Sequence, residues 1–378
     1  MNYDLGEDQK IIKETARKFL AGACPAEFVR KTAADPDGSI DELWTKMAEL
    51  GWMGLMVPEE YDGFGGTILD LTVLLSEMGY VALPGPFFST VVLGGLTLME
   101  AGSPAQKAEF LPALAAGNLK LALAWLEEDG DWGPSGVNMY ASREGDSHSL
   151  SGTKLFVGDA AAADFIICVA RTEARTDDPA AGLSLFLIDR KSKGLTITPL
   201  LTLAGDKQYE VVFDQVAASP EALLGEPGRA WPVLKKILLL AAAAKCGEMI
   251  GAADKVMELV IPYTKERVQF GRQIGAFQAV QHHAANMLTY ADTIKFLTYQ
   301  AAWLASSGLP FEKEAAMCKA WVSDSFRKLV GLGHQILGGV GFMEEHDLQL
   351  YYKRAKTAEL MFGGVEFHLE LAAEAMGL

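Results

Sequence analysis

Two short segments in the last third of the sequence carry residue types suited to a phosphorylated ligand. Residues 267–278 hold two arginines, Arg267 and Arg272, in a stretch that reads as a surface loop between two long helices. Residues 335–341 place Gln335 and three glycines at a helix end. Guanidinium groups match the geometry of a diphosphate, and glycines let backbone N–H groups approach a ligand closely. Taken singly, the arginine can be a solvated charge and the glycines a helix C-cap.

Histidine and cysteine supply no comparable pattern. His282 and His283 are adjacent in a helical stretch, so their side chains point about 100° apart and cannot form a metal pair. His334 is interpreted as a packed or capping residue. The four cysteines are scattered, which favours buried free thiols over a disulfide framework or a zinc site; they are Cys24, Cys168, Cys246 and Cys318. We therefore predict no metal.

The elements around these segments follow a helical, β, helical order. Residues 1–118 show helical spacing of apolar side chains. Between residues 119 and 225, seven short β-rich segments are separated by turn residues, which predicts antiparallel strands in a small barrel or sandwich. Residues 226–378 contain four long helical segments with short connections, typical of a four-helix bundle. We predict an α+β protein with domains at 1–118, 119–225 and 226–378.

Composition excludes several classes of protein. Half of the 378 residues are hydrophobic and 22% are charged, as in a globular chain. The net charge of −16 argues against a nucleic-acid partner. The first residues lack the features of a signal peptide, and no apolar run reaches the roughly 18 residues that span a bilayer. We expect a cytoplasmic protein that does not enter membranes. Residues 237–244 are apolar on every helical face, which predicts a subunit interface.

This order of elements resembles the architecture of the acyl-CoA dehydrogenase family, and two motifs strengthen the resemblance. Residues 267–278 are similar to the family's ER-x-x-FG loop and its following glutamine, and residues 335–341 to its Q-x-x-GG-x-G motif. The matching positions are Arg267, Phe270, Gly271, Gln278, Gln335, Gly338, Gly339 and Gly341. The resemblance implies an FAD held mainly by an adjacent subunit, with the arginine at its pyrophosphate and the glycine motif at its adenine end.

The resemblance also implies a reaction. Family members catalyse α,β-dehydrogenation of an acyl-CoA thioester in acyl-CoA or lipid catabolism, and they pass electrons to an electron-transferring flavoprotein. They assemble as tetramers. The reaction needs a carboxylate base near the α-proton of the substrate.

The positions where the family keeps that base hold other residues here. The usual glutamate of a Tyr-Glu-Gly-Thr segment is matched by Phe362 or, with a one-residue shift, by Gly363. The alternative site, early in the first long bundle helix, is matched by Ala241 and Ala242. None of these side chains can accept a proton, so the catalytic residue is unknown.

Two segments that contact the flavin ring in the family are also altered. Its Thr-Glu-Pro is matched by residues 126–128, Leu-Glu-Glu, and its Trp-Ile-Thr by residues 156–158, Phe-Val-Gly. Both threonine hydroxyls are lost, while the elements that would serve a neighbour's FAD are kept. We hypothesise that this chain is one subunit of a heteromeric acyl-CoA dehydrogenase whose sister subunit supplies the base.

Two alternatives stay open. The chain could be a self-sufficient homotetrameric flavoenzyme with an unusual base, for which Glu366 is the best candidate and Glu359, Asp206 and Glu210 are weaker ones. It could also be a non-catalytic scaffold subunit that only completes a partner's cofactor site. The identity of the acyl chain is not readable from the sequence.

Overall fold

The amino-terminal part of the chain is helical, as predicted. The computed structural model describes residues 4–35 and 38–378. The helices of this part are α1 (Glu7–Ala23), α2 (Ala26–Ala34), α3 (Asp41–Glu49), α4 (Ile68–Tyr80), α5 (Leu96–Ala101) and α6 (Pro104–Ala115), with a π-helical segment at Phe88–Gly95. Helix α4 begins with a capping box, because the Thr67 hydroxyl accepts from the Asp70 N–H and the Asp70 carboxylate accepts from the Thr67 N–H at 2.8 Å.

The middle part forms an eight-stranded sheet in the order β6-β7-β3-β2-β4-β5-β8, with β1 paired to β4. Its strands are β1 (Leu121–Ala124), β2 (Tyr140–Glu144), β3 (Ser147–Gly158), β4 (Phe165–Arg171), β5 (Leu183–Asp189), β6 (Leu195–Leu200), β7 (Gln208–Ala218) and β8 (Leu223–Leu224). The predicted β-rich segments are confirmed. Most strand pairs are antiparallel, as predicted, but β1 runs parallel to β4, and β2 pairs with β4 in parallel at one position. Strands β2 and β3 form an antiparallel hairpin that lies between β1 and β4 in the sequence. Strand β4 then pairs with β1 and runs in the same direction.

The carboxyl-terminal part contains long helices and one small hairpin. The helices are α7 (Trp231–Glu266), α8 (Gln278–Ser306), α9 (Glu312–Leu337), α10 (Leu348–Leu360) and α11 (Val365–Met376), and the hairpin strands are β9 (Val268–Gln269) and β10 (Arg272–Gln273). The four predicted helices are confirmed and α11 is additional. No helix in the described part of the chain is both long and apolar enough to cross a lipid bilayer.

Contacts group the chain into two units. The first unit comprises Met1–Lys31, Thr67–Leu83 and Leu239–Leu378, and the second comprises Thr32–Gly66 and Pro84–Leu238. The first unit therefore contains α1, α4 and α8–α11 with most of α7, and the second contains the large sheet with α3, α5 and α6. The division into three domains at 1–118, 119–225 and 226–378 stays a prediction.

Glycines allow helices α4 and α7 of the first unit to approach at backbone distance. A Cβ placed on Gly251 would lie 1.7 Å from the carbonyl oxygen of Ser76, and one on Gly79 would lie 1.9 Å from that of Glu248. Neither position can carry a side chain without separating the helices. This close packing fixes the part of α7 that contains Ala241 and Ala242, both fully buried.

Candidate functional site

The segment that the sequence presents as a surface loop is a β-hairpin. Phe270 and Gly271 occupy its two central positions with φ of 53° and 78°. Positive φ at both positions is the signature of a type I′ turn, which suits a two-residue hairpin. The predicted loop is therefore wrong in detail. The sequence does not indicate a hairpin here, because phenylalanine is a poor residue for a positive φ and the hairpin strands are only two residues long. The turn presents Phe270 outward, with 93% of the residue exposed.

Both arginines of this segment lie at the surface. Arg267 immediately follows α7, and its backbone N–H still bonds the Tyr263 carbonyl at 2.9 Å. The Arg272 guanidinium lies 4.1 Å from the centroid of the Phe277 ring. Phe277 also meets the edge of Phe270 at 6.1 Å between centroids. These aromatic contacts orient Arg272, whereas Arg267 projects from the end of a long helix into solvent.

The second predicted segment terminates α9, as expected. Gly338 has φ of 60°, and its N–H donates to the His334 carbonyl, so a glycine is required there for the helix end. The 3-10 turn Gly338–Phe342 follows. A Cβ added to Gly338 or Gly339 would meet nothing within 4 Å, so the space beside both backbones is open. Gln335 is exposed on the last turn of α9.

The position of the family's usual base is a tight, buried turn at residues 361–364. Phe362 has φ of 61° and Gly363 has φ of 99°. The Phe362 side chain is buried in the first unit, and no residue of the turn carries a carboxylate. An L-residue at positive φ persists only where its surroundings hold it.

Lys319, from α9, holds this turn. Its Nζ donates to the carbonyls of Ala358 at 3.0 Å, Glu359 at 3.1 Å and Gly363 at 3.2 Å. It also bonds the Ser323 hydroxyl at 3.0 Å. The side chain is fully buried, and burial lowers the pKa of Lys319 to about 8. The amine thus satisfies the carbonyls that end α10 and that have no partner within the helix.

His368, from α11, holds the same turn from the other side. Its Nε2 lies 2.8 Å from the Phe362 carbonyl oxygen and donates to it. Burial, together with the nearby Lys319 ammonium, lowers the pKa of His368 to about 4, so the ring is neutral. Sequence reasoning missed both residues. Lys319 lies on the same apolar face of α9 as Ala315 and Ala316, and a lysine on an apolar helix face is the sequence feature that could have indicated a buried, hydrogen-bonded amine.

The weaker candidate bases occupy unremarkable environments. Glu366 is exposed in the first turn of α11, where a carboxylate stabilises a helix. Glu359 is engaged by Lys356 at 3.0 Å and by Arg327 at 3.6 Å. Ala241 and Ala242 are buried in α7 and have no polar side-chain atoms. In the first unit, none of these carboxylates is buried and unpaired in the manner of a tuned general base.

The second unit contains a cavity of about 840 Å³ with an acidic lining. The lining residues are Glu127, Glu128, Asp129, Asn138, Thr153, Leu155 and Glu210. Glu127 is buried and forms an ion pair with the buried Lys154 at 2.6 Å. Its oxygens also accept from the backbone N–H groups of Asn138 and Met139, at 2.9 and 3.0 Å. Glu127 is therefore a structural residue.

The other three carboxylates of this cavity have no cationic side chain within ion-pair distance among the described residues. Glu210 projects from β7, opposite Thr198 of β6, and Glu128 and Asp129 follow β1. Asp206, the other candidate of this unit, accepts from the Gln208 amide at 2.7 Å and does not line the cavity. Like charges gathered in one cavity repel anionic ligands.

Comparison with known proteins places the whole chain in one family. Family models of the acyl-CoA dehydrogenase N-terminal, middle and C-terminal domains match residues 6–118, 122–216 and 228–377. An acyl-CoA dehydrogenase of Bacillus subtilis (strain 168) is 30% identical over 360 residues, covering 94% of this chain and 93% of that protein. The chain belongs to the acyl-CoA dehydrogenase family.

Solved structures of acyl-CoA dehydrogenases share this fold. Butyryl-CoA dehydrogenase from Megasphaera elsdenii superposes with a TM-score of 0.92 at 26% identity, over 100% of both chains. A variant of the Tcur3481-Tcur3483 steroid ACAD superposes with a TM-score of 0.87 at 28% identity, over 99% of both chains. The predicted family, fold and enzyme class, an oxidoreductase acting on CH–CH bonds, are confirmed, and FAD is confirmed as the cofactor of such enzymes.

The residues of this chain fit FAD unequally. In the first unit, Arg267 and the open backbone at Gly338 and Gly339 offer a cation and a close approach, which suit a dinucleotide. In the second unit, the matched ring-contact segments lack both threonine hydroxyls, and Glu128 and Asp129 stand beside one of them. A ligand with an anionic diphosphate, and with a ring that gains negative charge on reduction, does not fit that lining.

Proposed function

We propose that this chain is a subunit of a heteromeric, FAD-dependent acyl-CoA dehydrogenase. It completes the FAD site of a sister subunit through the hairpin at residues 267–278 and the glycine turn at Gly338–Phe342. The sister subunit contributes the catalytic base and contacts the acyl-CoA thioester. The electrons pass to an electron-transferring flavoprotein.

The 361–364 turn carries this proposal. Phe362 stands where the family's glutamate is expected. Its carbonyl accepts a hydrogen bond from His368 at 2.8 Å, and Lys319 bonds the neighbouring Gly363 carbonyl at 3.2 Å and two carbonyls at the end of α10 at 3.0 and 3.1 Å. A carboxylate cannot be brought into this position by a local shift, because the turn is buried and tied to α9 and α11. The chain therefore preserves a rigid turn in place of a base.

The acidic cavity of the second unit supports the same proposal. Three carboxylates without cationic partners, Glu128, Asp129 and Glu210, disfavour both FAD and the multiply charged CoA. Similarity to a steroid ACAD whose name joins two components agrees with a two-subunit enzyme. We expect the first unit to contribute to a flavin site and the second unit to leave its own flavin face unused.

When bound, FAD accepts hydride from the β-carbon of the acyl chain. The part played by this chain is binding and orientation. Arg267 offers its guanidinium to the diphosphate, and Gln335 and Gln278 offer exposed amides. Phe270, which is almost fully exposed on its turn, packs against the bound dinucleotide or the sister subunit and excludes water.

Visible absorption of purified protein tests the proposal. The chain produced alone is expected to be colourless, and the chain co-produced with a sister acyl-CoA dehydrogenase subunit is expected to show flavin bands. Arg267→Gln should reduce flavin retention in the pair, whereas Lys265→Gln, a matched change to an exposed cation in the last turn of α7, should not. Stoichiometric flavin and turnover of an acyl thioester by the chain alone would refute the proposal.

The self-sufficient alternative has its own test. If the chain alone oxidises an acyl thioester, Glu366→Gln should abolish turnover where Glu366 is the base. Unchanged turnover would remove Glu366, and its exposure at the start of α11 favours that result.

A further inference from the structure

His334 is a buried side chain without a hydrogen-bond partner. Only 5% of the residue is exposed. Neither Nδ1 nor Nε2 has a partner among the described residues. Leaving a buried polar group unpaired costs about 1–3 kcal/mol. Such a group in a folded chain calls for a ligand or a structural explanation.

The ring faces the glycine turn that ends α9. A Cβ placed on Gly341 would lie 3.3 Å from Nδ1 of His334, so that nitrogen points to the backbone of the turn. The Phe342 ring lies over it at 5.0 Å, and the Tyr352 ring meets it edge-on at 4.6 Å. Phe342 is 72% exposed and Tyr352 is 47% exposed. The histidine thus forms the floor of a surface patch walled by aromatic rings.

The chemistry of this patch fits a purine base. Burial, and secondarily the nearby His346, lowers the pKa of His334, so its imidazole is neutral and offers one donor and one acceptor. Adenine presents an exocyclic amine donor beside ring-nitrogen acceptors. Aromatic side chains such as Phe342 supply faces on which a base stacks. A glycine turn with open space beside it leaves room for the base to approach.

We propose that His334 hydrogen-bonds the adenine base of the FAD held mainly by the neighbouring subunit, with Phe342 rotating aside to stack on that base. This inference rests on the proposed function, because the FAD site completed in trans is the one already described. It adds a specificity-determining residue to that site.

Nucleotide affinity tests this role. The co-produced pair, with its flavin removed, is titrated calorimetrically with ADP and with UDP, which differ in the base alone. The wild type is expected to prefer ADP about fivefold to tenfold, the worth of one net hydrogen bond with some stacking. His334→Phe should remove most of that preference, and His334→Gln, which keeps a donor and an acceptor, should retain it. His282→Phe changes an exposed histidine of α8 and serves as the matched control.

Each outcome decides the matter. An unchanged ADP preference in His334→Phe, equal binding of ADP and UDP by the wild type, or no binding of either would overturn the assignment. A loss of preference in His282→Phe as large as in His334→Phe would also overturn it. The flavin content of the co-produced wild-type pair is measured in parallel. A flavin-containing pair with an unaffected His334→Phe variant refutes the role of His334 and leaves the proposed function standing, whereas a colourless pair refutes the proposed function itself.

Discussion

Replacing Lys319 by methionine tests how much its hydrogen bonds stabilise the 361–364 turn. The substitution keeps the length of the side chain and removes the amine that bonds three carbonyls and a hydroxyl. Four buried acceptors then lose their donor. At pH 7 we expect the free energy of unfolding to fall by about 2 kcal/mol, since the loss of several hydrogen bonds is partly offset by removing a buried charge.

The pH dependence of the free energy of unfolding tests the burial of Lys319 more directly than its value at pH 7. The pKa of Lys319 is lowered by burial to about 8 in the folded chain, against about 10.4 in an unfolded chain. Between these values the unfolded state binds a proton that the folded state does not. Stability contributed by this group therefore rises with pH, by at most about 1.4 kcal/mol per pH unit. The difference in free energy of unfolding between wild type and Lys319→Met should widen by roughly 1.5 kcal/mol from pH 8 to pH 9.5.

Urea denaturation followed by tryptophan fluorescence at a fixed protein concentration measures this gap. Comparing two proteins cancels the titration of groups that Lys319 does not influence. The charge of Lys319 acts on the buried thiols of Cys246 and Cys318, so both proteins are compared in a background in which these two cysteines are replaced by alanine. Lys313→Met, a change to a half-exposed lysine of the same helix, should keep a constant difference from the wild type at every pH. A gap that stays constant above pH 8 would show that Lys319 is not desolvated in the fold. A gap that narrows would show that the carbonyls raise its pKa, and the reasoning would be wrong.

Two further perturbations follow from packing and from the second anchor of the turn. Gly251→Ala should lower the free energy of unfolding by about 1–3 kcal/mol or more, because the added Cβ would lie 1.7 Å from a carbonyl oxygen of α4. Gly331→Ala is the control, since nothing lies within 4 Å of its Cβ, and it should be neutral or stabilising by up to about 1 kcal/mol. Equal changes of the two variants in thermal unfolding would contradict the packing argument. Wild-type stability should fall as pH decreases from 6.5 to the lowered pKa of His368, about 4, by about 2 kcal/mol at pH 5, because the unfolded histidine gains a proton first. The difference in free energy of unfolding between wild type and His368→Gln should shrink by this amount, because His334 and His148, whose pKa values are also lowered by burial, titrate in both proteins. A difference that is equal at pH 7 and pH 5 in urea denaturation would refute the assignment.

The elements with strong local signals were predictable from the sequence. Strands β4, β5 and β6 lie among the β-rich segments predicted between residues 119 and 225, and helix α9 is one of the four long helical segments predicted after residue 226. The hairpin of β9 and β10 was not predictable, because its turn holds Phe270 at a positive φ, which phenylalanine rarely adopts. Helix α11 follows two glycines that read as the end of helical structure, and its existence depends on packing against α9.

The candidate site was predictable only where its residues belong to a local motif. Arg267 and Gln335 stand in short segments that can be read along the chain. The bond from Lys319 to the Gly363 carbonyl joins residues 44 positions apart, and the pairing of Glu127 with Lys154 joins residues 27 apart. Contacts of this kind depend on how helices and strands come together in three dimensions. Sequence spacing alone could show that the position matched to the family's base carries no carboxylate, but not which contacts hold the turn at that position.

The contacts that hold the 361–364 turn show whether this turn is firmly fixed although none of its residues carries a carboxylate. A turn that had merely drifted from its original use would be expected to loosen, since no substrate constrains it. Here the turn keeps a buried lysine with four hydrogen bonds and a neutral histidine with one, both of which cost free energy to bury. Such groups persist when the geometry they enforce is needed. A turn held this firmly fixes the end of α10 and the start of α11 against α9.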